Sequence, residues 1–127
     1  MNLEKVVFAF FILLALTLNF GFFIGEISTP DHHNVFELFA AIVVSIVATI
    51  LKFGDRTQLG AVVLASSLVA DLQLVAAAIW WTIAVHVSAA GLTGAATASI
   101  VSLSGGAVLA NLVSVVLLTI ETVMVRR

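Results

Sequence analysis

The sequence contains no cysteine and a single proline, and only 9% of its 127 residues are charged. The lack of cysteine excludes disulfides, thiolate metal sites and cysteine nucleophiles. The scarcity of charge argues against an ordinary soluble domain, in which about 25% of residues are charged. The net charge of −2 also provides no basic surface of the kind that nucleic-acid binding requires.

Apolar residues, in contrast, make up 62% of the chain. A soluble fold of this size keeps much of its surface in water and has too little interior for so much apolar area. An uncharged helical run of about 20 residues is long enough to cross the ~30 Å hydrocarbon core of a bilayer. We therefore expect an all-α integral membrane protein in which residues 1–127 form a single transmembrane domain.

Four transmembrane helices are predicted, at about residues 6–25, 35–51, 59–86 and 95–125. The long apolar stretch that follows residue 59 is divided at residues 87–94, where two glycines and small polar residues lower helix propensity. Trp80 and Trp81 support this division, because tryptophan favours the membrane–water interface.

The basic residues predict the orientation of these helices. All five lysines and arginines fall on one side of the four-helix arrangement, namely Lys5, Lys52, Arg56, Arg126 and Arg127. The two loops on the opposite side contain neither residue type. Because cytoplasmic loops carry an excess of lysine and arginine, both termini are expected to face the cytoplasm.

Asp71 is the most informative single residue, because it lies near the middle of the third helix. An ionisable side chain at that depth costs roughly 2.5–3.5 kcal/mol on insertion scales, and such residues often line ion or proton pathways. The alternative is a hydrogen-bonded aspartate that holds helices together. The polar residues that we group with Asp71 as a candidate ion pathway are Ser67, Asn111, Asn19 and Gln73.

Two placements follow from helix geometry. Ser67 shares a face with Asp71, whereas Gln73 lies about 200° around the helix from Asp71. Two opposite polar faces predict that protein surrounds the third helix on both sides, with a neighbouring subunit on one of them, and hence a homo-oligomer. Asn111 is expected to be better placed than Asn19 as a partner for Asp71.

Small residues at four-residue spacing predict close helix packing, because lipid provides no hydrophobic drive for helix association. The stripe on the fourth helix is Ser102, Gly106, Ala110 and Ser114; the first helix has Thr17, Gly21 and Gly25, and the second has Ala41, Ser45 and Thr49.

His33, in the acidic loop, and Glu37, in the first turn of the second helix, are four residues apart and form a weak candidate metal pair. The favoured alternative is structural, with Asn34 as the N-cap of the second helix and Glu37 three residues later. Histidines there are also candidate sensors of external pH. No catalytic motif is present, so we expect no enzymatic activity, no resident metal and no cofactor.

Three segments together resemble a family of small, functionally uncharacterised bacterial inner-membrane proteins. They are the N-terminal Met-Asn-Leu-Glu-Lys run, the Asp-His-His-Asn loop at 31–34, and Leu-Lys-Phe-Gly-Asp-Arg-Thr-Gln at 51–58. The resemblance extends over most of the chain and implies a multi-pass inner-membrane location, but the family carries no assigned activity. Small multidrug exporters are similar in size, but they keep their essential acid in the first helix, where this chain has none. The phenylalanine motif of fluoride channels is not evident either.

The sequence therefore favours an oligomeric inner-membrane channel or transporter for a small cation or proton, with Asp71 as its intramembrane site. The alternative is a non-conducting accessory or scaffold subunit of a larger membrane complex, in which Asp71 is a buried polar latch. The expected partners are the lipid bilayer and further copies of the chain, and nucleic acid is not among them.

Overall fold

The computed structural model describes residues 3–26, 28–54 and 57–125. Within these residues the long helices are α1 (Leu3–Phe23), α2 (Val35–Lys52), α3 (Gln58–His86) and α4 (Gly94–Val125), and a short 3₁₀ turn at Pro30–His32 precedes α2. All four are long and apolar enough to cross a membrane. The structure therefore confirms the expectation of an all-α membrane protein with four spanning helices.

Local interactions define where the helices begin. Asn34 is the N-cap of α2, as predicted, and its side-chain oxygen accepts a hydrogen bond from the backbone N–H of Phe36 at 2.9 Å. Thr57 caps α3 in the same way by accepting from the N–H of Gly60 at 2.9 Å. The connection between α3 and α4 contains Gly91 with a φ of 72°, a left-handed conformation that glycine adopts without steric cost.

The four helices form a closed ring in which α1 and α3 each pack against both α2 and α4. Neighbouring helices are antiparallel. An ion pair between Lys5 and Glu121, at 3.1 Å, joins the start of α1 to the last turns of α4. We call the end of the bundle that carries this ion pair and the α2–α3 turn the proximal end. The distal end carries the α1–α2 and α3–α4 connections.

Each helix turns one narrow seam towards the bundle axis. The buried positions on α1 are three or four residues apart: Phe8, Ile12, Ala15, Asn19 and Phe22. On α3 the same spacing holds for Gly60, Val63, Ser67, Ala70, Leu74 and Ala77, and Ala78 and Ala84 are also buried. This average spacing of 3.5 is typical of helices packed as an antiparallel bundle. The core is therefore a column along the bundle axis.

The apolar part of that column is divided into two clusters. The proximal cluster consists of Phe8, Ile12, Ala48 and Val63. The larger distal cluster contains Phe22, Leu38, Leu74, Ile100 and Val101, together with several alanines. Buried polar side chains lie between the two clusters along the helices, and they make up the candidate site.

Candidate functional site

Asp71 lies at the middle of α3 and bonds to the neighbouring helix α2. Ser45 Oγ donates to one carboxylate oxygen at 2.6 Å, and Thr49 Oγ1 donates to the other at 2.5 Å. Both hydroxyl residues are buried, whereas Asp71 itself is partly exposed. Hydrogen bonds of this length are typical of hydroxyls that donate to a carboxylate. The three residues therefore form a compact polar cluster between two spanning helices.

Thr49 has a second acceptor within reach. Its Oγ1 lies 2.9 Å from the backbone carbonyl oxygen of Ser45, one turn earlier on α2. A hydroxyl carries one hydrogen. At any moment Thr49 therefore donates either to its own helix or to Asp71, and the cluster has two hydrogen-bonding arrangements that differ by a rotation of this hydroxyl.

Gln73 extends from the other side of α3 and contacts α4. Its side-chain amide lies so close to Gly106 that a Cβ added there would overlap it. Asp71 contacts α2 and Gln73 contacts α4, so both polar faces of α3 meet helices of the same chain. The opposite placement of these two residues, which suggested a neighbouring subunit from the sequence, is thus accounted for within one bundle.

A layer of buried polar residues crosses the middle of the bundle between the two apolar clusters. We call Ser45 on α2, Ser67 on α3 and Asn111 on α4 the central polar layer; each is 0% exposed. Ser45 bonds to Asp71, but Ser67 Oγ and both side-chain amide atoms of Asn111 have no hydrogen-bond partner. Asn111 is thus not the partner of Asp71 that the sequence suggested.

Asn19 and Ser104 form a separate buried pair between α1 and α4. Ser104 Oγ lies 2.7 Å from the side-chain amide of Asn19. Turning that amide over keeps this contact and adds a bond from the backbone N–H of Val108 at 3.1 Å. Asn19 is therefore fully satisfied, unlike Asn111, and it lies on the distal side of the central polar layer.

The distal end contains a histidine with both ring nitrogens in use. His33 Nδ1 lies 2.6 Å from the carbonyl oxygen of Phe22, and its Nε2 lies 2.8 Å from that of Glu26. Carbonyl oxygens only accept, so both contacts are hydrogen bonds only when both ring nitrogens carry a hydrogen. The neighbouring His32 instead accepts at Nδ1 from the N–H of Glu26 at 2.9 Å.

This geometry leaves little room for the weak metal hypothesis. Both nitrogens of His33 face backbone carbonyls, and the carboxylate of Glu37 lies against Gly21 on α1. Among the described residues, no group of three or more histidine, cysteine, aspartate and glutamate side chains is arranged to hold a metal ion.

The proximal end contains a cavity of about 340 Å³, lined by Glu4, Lys5, Phe8, Leu51, Lys52, Phe53, Gly54 and Leu118. Lys52 is 8% exposed, and its ammonium group lies 4.8 Å from the centre of the Phe8 ring, a cation–π contact. Lys52 follows Thr49 by three residues on α2, about one helical turn. The cavity thus approaches the Asp71 cluster from the proximal end.

The predicted packing stripes lie in different surroundings. Ser114 is fully buried, with its hydroxyl 2.5 Å from that of Ser66, and Ala110 is 9% exposed. Gly106 accommodates Gln73, as described, and Gly21 accommodates Glu37. Ser102 and Thr17 lie on the outer surface of the bundle, and the hydroxyl of Thr17 donates to the carbonyl oxygen of Leu14 at 3.0 Å.

Sequence reasoning identified Asp71 but not its partners. For Ser45 and Thr49 the sequence predicted only a role in helix packing. The available signal was their i, i+4 spacing on an otherwise apolar helix, which puts two hydroxyls on one face. To pair them with Asp71, one must also know how α2 is oriented about its own axis, and the sequence does not determine this orientation.

The fold and the site together define a multi-pass α-helical membrane protein with a polar layer and a carboxyl group in its interior. The sequence profile of a family of unknown function, DUF6394, matches residues 32–122. The chain belongs to this family, in agreement with the resemblance to an uncharacterised family noted above. No curated protein and no solved structure matches the chain.

Proposed function

We propose that the protein is a small oligomeric channel or transporter for the proton or another small cation, with Asp71 as its intramembrane site. The position of Asp71 carries this proposal. In the described part of the chain, every other aspartate, glutamate, lysine and histidine lies near a helix end or in a connection. An ionisable group retained at mid-membrane, despite a cost of roughly 2.5–3.5 kcal/mol, is typical of an ion or proton pathway.

The hydrogen bonds around Asp71 suit a group that exchanges a proton. An ionised carboxylate accepts one hydrogen from Ser45 and one from Thr49. A protonated carboxyl group instead donates its hydrogen to Thr49, whose own hydrogen then turns to the carbonyl oxygen of Ser45, 2.9 Å away. Asp71 can thus change its protonation state through the rotation of one hydroxyl group, with the helices in place.

The proximal cavity lies on the side of this site that faces the proximal end, since Lys52 in its lining is about one turn from Thr49. The proximal apolar cluster, which includes Phe8, separates the cavity from the central polar layer. On the distal side the column is closed by the distal apolar cluster, which includes Phe22, Leu38 and Leu74. Transport in this arrangement requires the helices to move, because an apolar cluster lies on each side of the central polar layer.

We place the protein in the inner membrane of a bacterium, with the proximal end in the cytoplasm. Lys5 and Lys52 lie at the proximal end, whereas Glu26 and Asp31 lie at the distal end. Arg56, Arg126 and Arg127 fall outside the described residues. The excess of basic residues in cytoplasmic segments then favours cytoplasmic termini.

Asp71 remains partly exposed at the seam between α2 and α3. In a homo-oligomer with this seam at its symmetry axis, copies of Asp71 form a ring, an arrangement used by cation pores. The remaining surface, rich in large apolar side chains such as Leu72 and Leu109, faces the lipid bilayer.

A second candidate function is that of a non-conducting accessory or scaffold subunit of a larger membrane complex. The observation that favours it is the engagement of both Asp71 oxygens by α2 hydroxyls. This is the geometry of a latch between two helices, and interhelical hydrogen bonds of this kind average about 0.6 kcal/mol in membrane proteins.

The substitution Asp71→Asn separates the two functions. Asparagine can accept from Ser45 and donate to Thr49, so it preserves the latch while removing the titratable group. We expect the purified Asp71→Asn protein to keep its oligomeric state and to lose proton and cation flux in liposomes. Thr119→Val is the matched control, because this exposed hydroxyl bonds only to the carbonyl oxygen of its own helix at Val115.

Flux that persists in Asp71→Asn would contradict the transport role of Asp71. If the wild type shows no flux under either a voltage or a pH gradient, the accessory function is favoured. In that case Asp71→Leu, which removes the latch, should release a protein partner that Asp71→Asn retains.

A further inference from the structure

The central polar layer contains hydrogen-bonding groups that no protein group satisfies. Asn111 is 0% exposed, and neither its side-chain nitrogen nor its side-chain oxygen has a partner. Ser67 Oγ, also 0% exposed, has no hydrogen-bond partner either. The same holds for Oε1 of Gln73, on the α4 side of α3. Three side chains on two adjacent helices therefore lack partners at the middle of the bundle.

The unpartnered groups of Asn111 and Ser67 lie close to one another along the bundle axis. Ser66 and Ser114 are in hydroxyl contact across the α3–α4 interface and fix its register. Ser67 is adjacent to Ser66, and Asn111 precedes Ser114 by three residues, less than one turn. The residues that flank this level along the seams are small: Ala48, Ala70, Ala107 and Ala110.

An amide buried without partners carries a desolvation penalty of about 1–3 kcal/mol for each unsatisfied group. In lipid this penalty cannot be avoided by exposure to bulk water. A molecule that enters the layer and bonds to these groups removes the penalty. The chemistry of the groups decides which molecule that is.

Water fits the layer better than a cation does. The side-chain nitrogen of Asn111 is a donor and its oxygen an acceptor, and a water molecule can serve both. A cation would bond to the oxygens and leave the N–H₂ group unsatisfied. Nor does the layer itself contain a compensating charge, because Ser45, Ser67 and Asn111 are all neutral. A cation without a paired charge is strongly disfavoured in such an interior.

We infer that the central polar layer binds internal water, and that the ion handled at Asp71 is therefore the proton. Ser67 precedes Asp71 by four residues, about one turn of α3, so bound water at Asn111 and Ser67 extends the polar region from the carboxyl group towards the bundle axis. A proton moves along hydrogen-bonded water by exchange of hydrogen bonds, whereas a metal cation must shed its hydration shell to enter the layer. The inference that the layer binds water does not depend on the proposed function, whereas the inference that the transported ion is the proton rests on it.

Water-edited solid-state NMR of the ¹⁵N-asparagine-labelled protein in liposomes tests the hydration directly. The chain has four asparagines, and two of them serve as internal references. Asn34 is exposed at the start of α2 and should receive magnetisation from water rapidly. Asn19 is 0% exposed and bonded to Ser104, and should receive little. The peak of Asn111 is assigned as the one that disappears in the Asn111→Leu variant.

We expect the Asn111 amide signal to build up several-fold faster than that of Asn19 and to approach that of Asn34. We further expect Asn111→Leu to lose proton flux while it stays folded, with Thr119→Val again as the control. A dry Asn111 overturns the inference even if flux depends on Asp71. Sodium or potassium flux equal to proton flux also overturns the choice of the proton. A hydrated Asn111 without any flux retains the water site and overturns the proposed function.

Discussion

At the scale of single residues, Asn19 and Asn111 form a natural comparison. They have the same side chain and the same complete burial, on helices α1 and α4 of one bundle. Asn19 contacts Ser104, whereas Asn111 has no protein partner. The contribution of each residue to stability should differ accordingly, because a polar group is costly to remove only when its removal leaves another buried group unpaired.

The substitutions Asn111→Leu and Asn19→Leu test this difference. Asn111→Leu replaces an amide without protein partners by an apolar side chain of similar volume, so unfolding free energy should change by less than about 1 kcal/mol. Asn19→Leu leaves the hydroxyl of Ser104 unpaired and should destabilise by about 1–3 kcal/mol. Thermal unfolding in one detergent gives both values. Equal losses, or a larger loss at Asn111, would contradict the assignment of partners.

The same scale shows what the sequence could predict about the site. Asp71 stands out because a single acid in a long apolar run has a recognisable cost. The lack of a partner for Asn111 has no such signal, since a buried asparagine reads the same in the sequence whether or not its amide is satisfied. Whether the amide is satisfied depends on how α4 is oriented about its axis relative to α1 and α3, and helical periodicity does not determine that orientation.

At the scale of elements, the end of α1 depends on a residue outside the helix. Phe22 is among the last residues of α1, and the carbonyl groups of a final turn have no partner within the helix. His33 supplies a donor to the Phe22 carbonyl at 2.6 Å and reaches the carbonyl of Glu26 with its other nitrogen. A positively charged imidazolium is also favoured at a helix C-terminus by the helix dipole.

His33→Gln should therefore weaken the distal end. Glutamine can replace one of the two donors but not both, so we expect a loss of about 1 kcal/mol, the net value of one hydrogen bond. Amide exchange of residues 20–24 measures this effect, with His86→Gln as the control.

An unchanged exchange rate in His33→Gln would contradict the capping role. The helix ends themselves were predicted to within a few residues. α1 was expected at residues 6–25 and runs from Leu3 to Phe23. Its end precedes Gly25, whose φ of 111° is incompatible with a continuing helix. The first residues of α1, at 3–5, include Glu4 and Lys5 and therefore lie outside the uncharged run from which a membrane span is recognised.

At the scale of the whole molecule, the distribution of side chains reverses that of a soluble bundle. The central column is rich in alanine and serine and contains two asparagines, whereas many large apolar residues such as Leu72, Leu109 and Ile50 lie on the surface. Small residues allow helices to approach closely where lipid provides no hydrophobic drive. The number of helices can be predicted from the sequence, since four long apolar segments account for most of the chain.

The orientation of the molecule depends on the basic residues alone, and the absence of cysteine makes it directly testable. Phe53→Cys introduces a thiol in the α2–α3 turn, and Ala89→Cys introduces one in the α3–α4 connection; both positions are exposed. Because Lys5 and Lys52 lie at the proximal end, we expect a membrane-impermeant maleimide to label Ala89→Cys on intact spheroplasts. Phe53→Cys should react only after the membrane is permeabilised.

The labelling result also decides which side of the membrane the proximal cavity faces and, under the proposed function, the side from which protons would reach Asp71. With the proximal end in the cytoplasm, the cavity at Lys52 opens to the cytoplasm and the distal apolar cluster separates Asp71 from the outside. Inverted labelling would reverse this and make the cavity an external entrance. Equal labelling of both variants on intact spheroplasts would mean that the chain inserts in both orientations, which would contradict the positive-inside assignment.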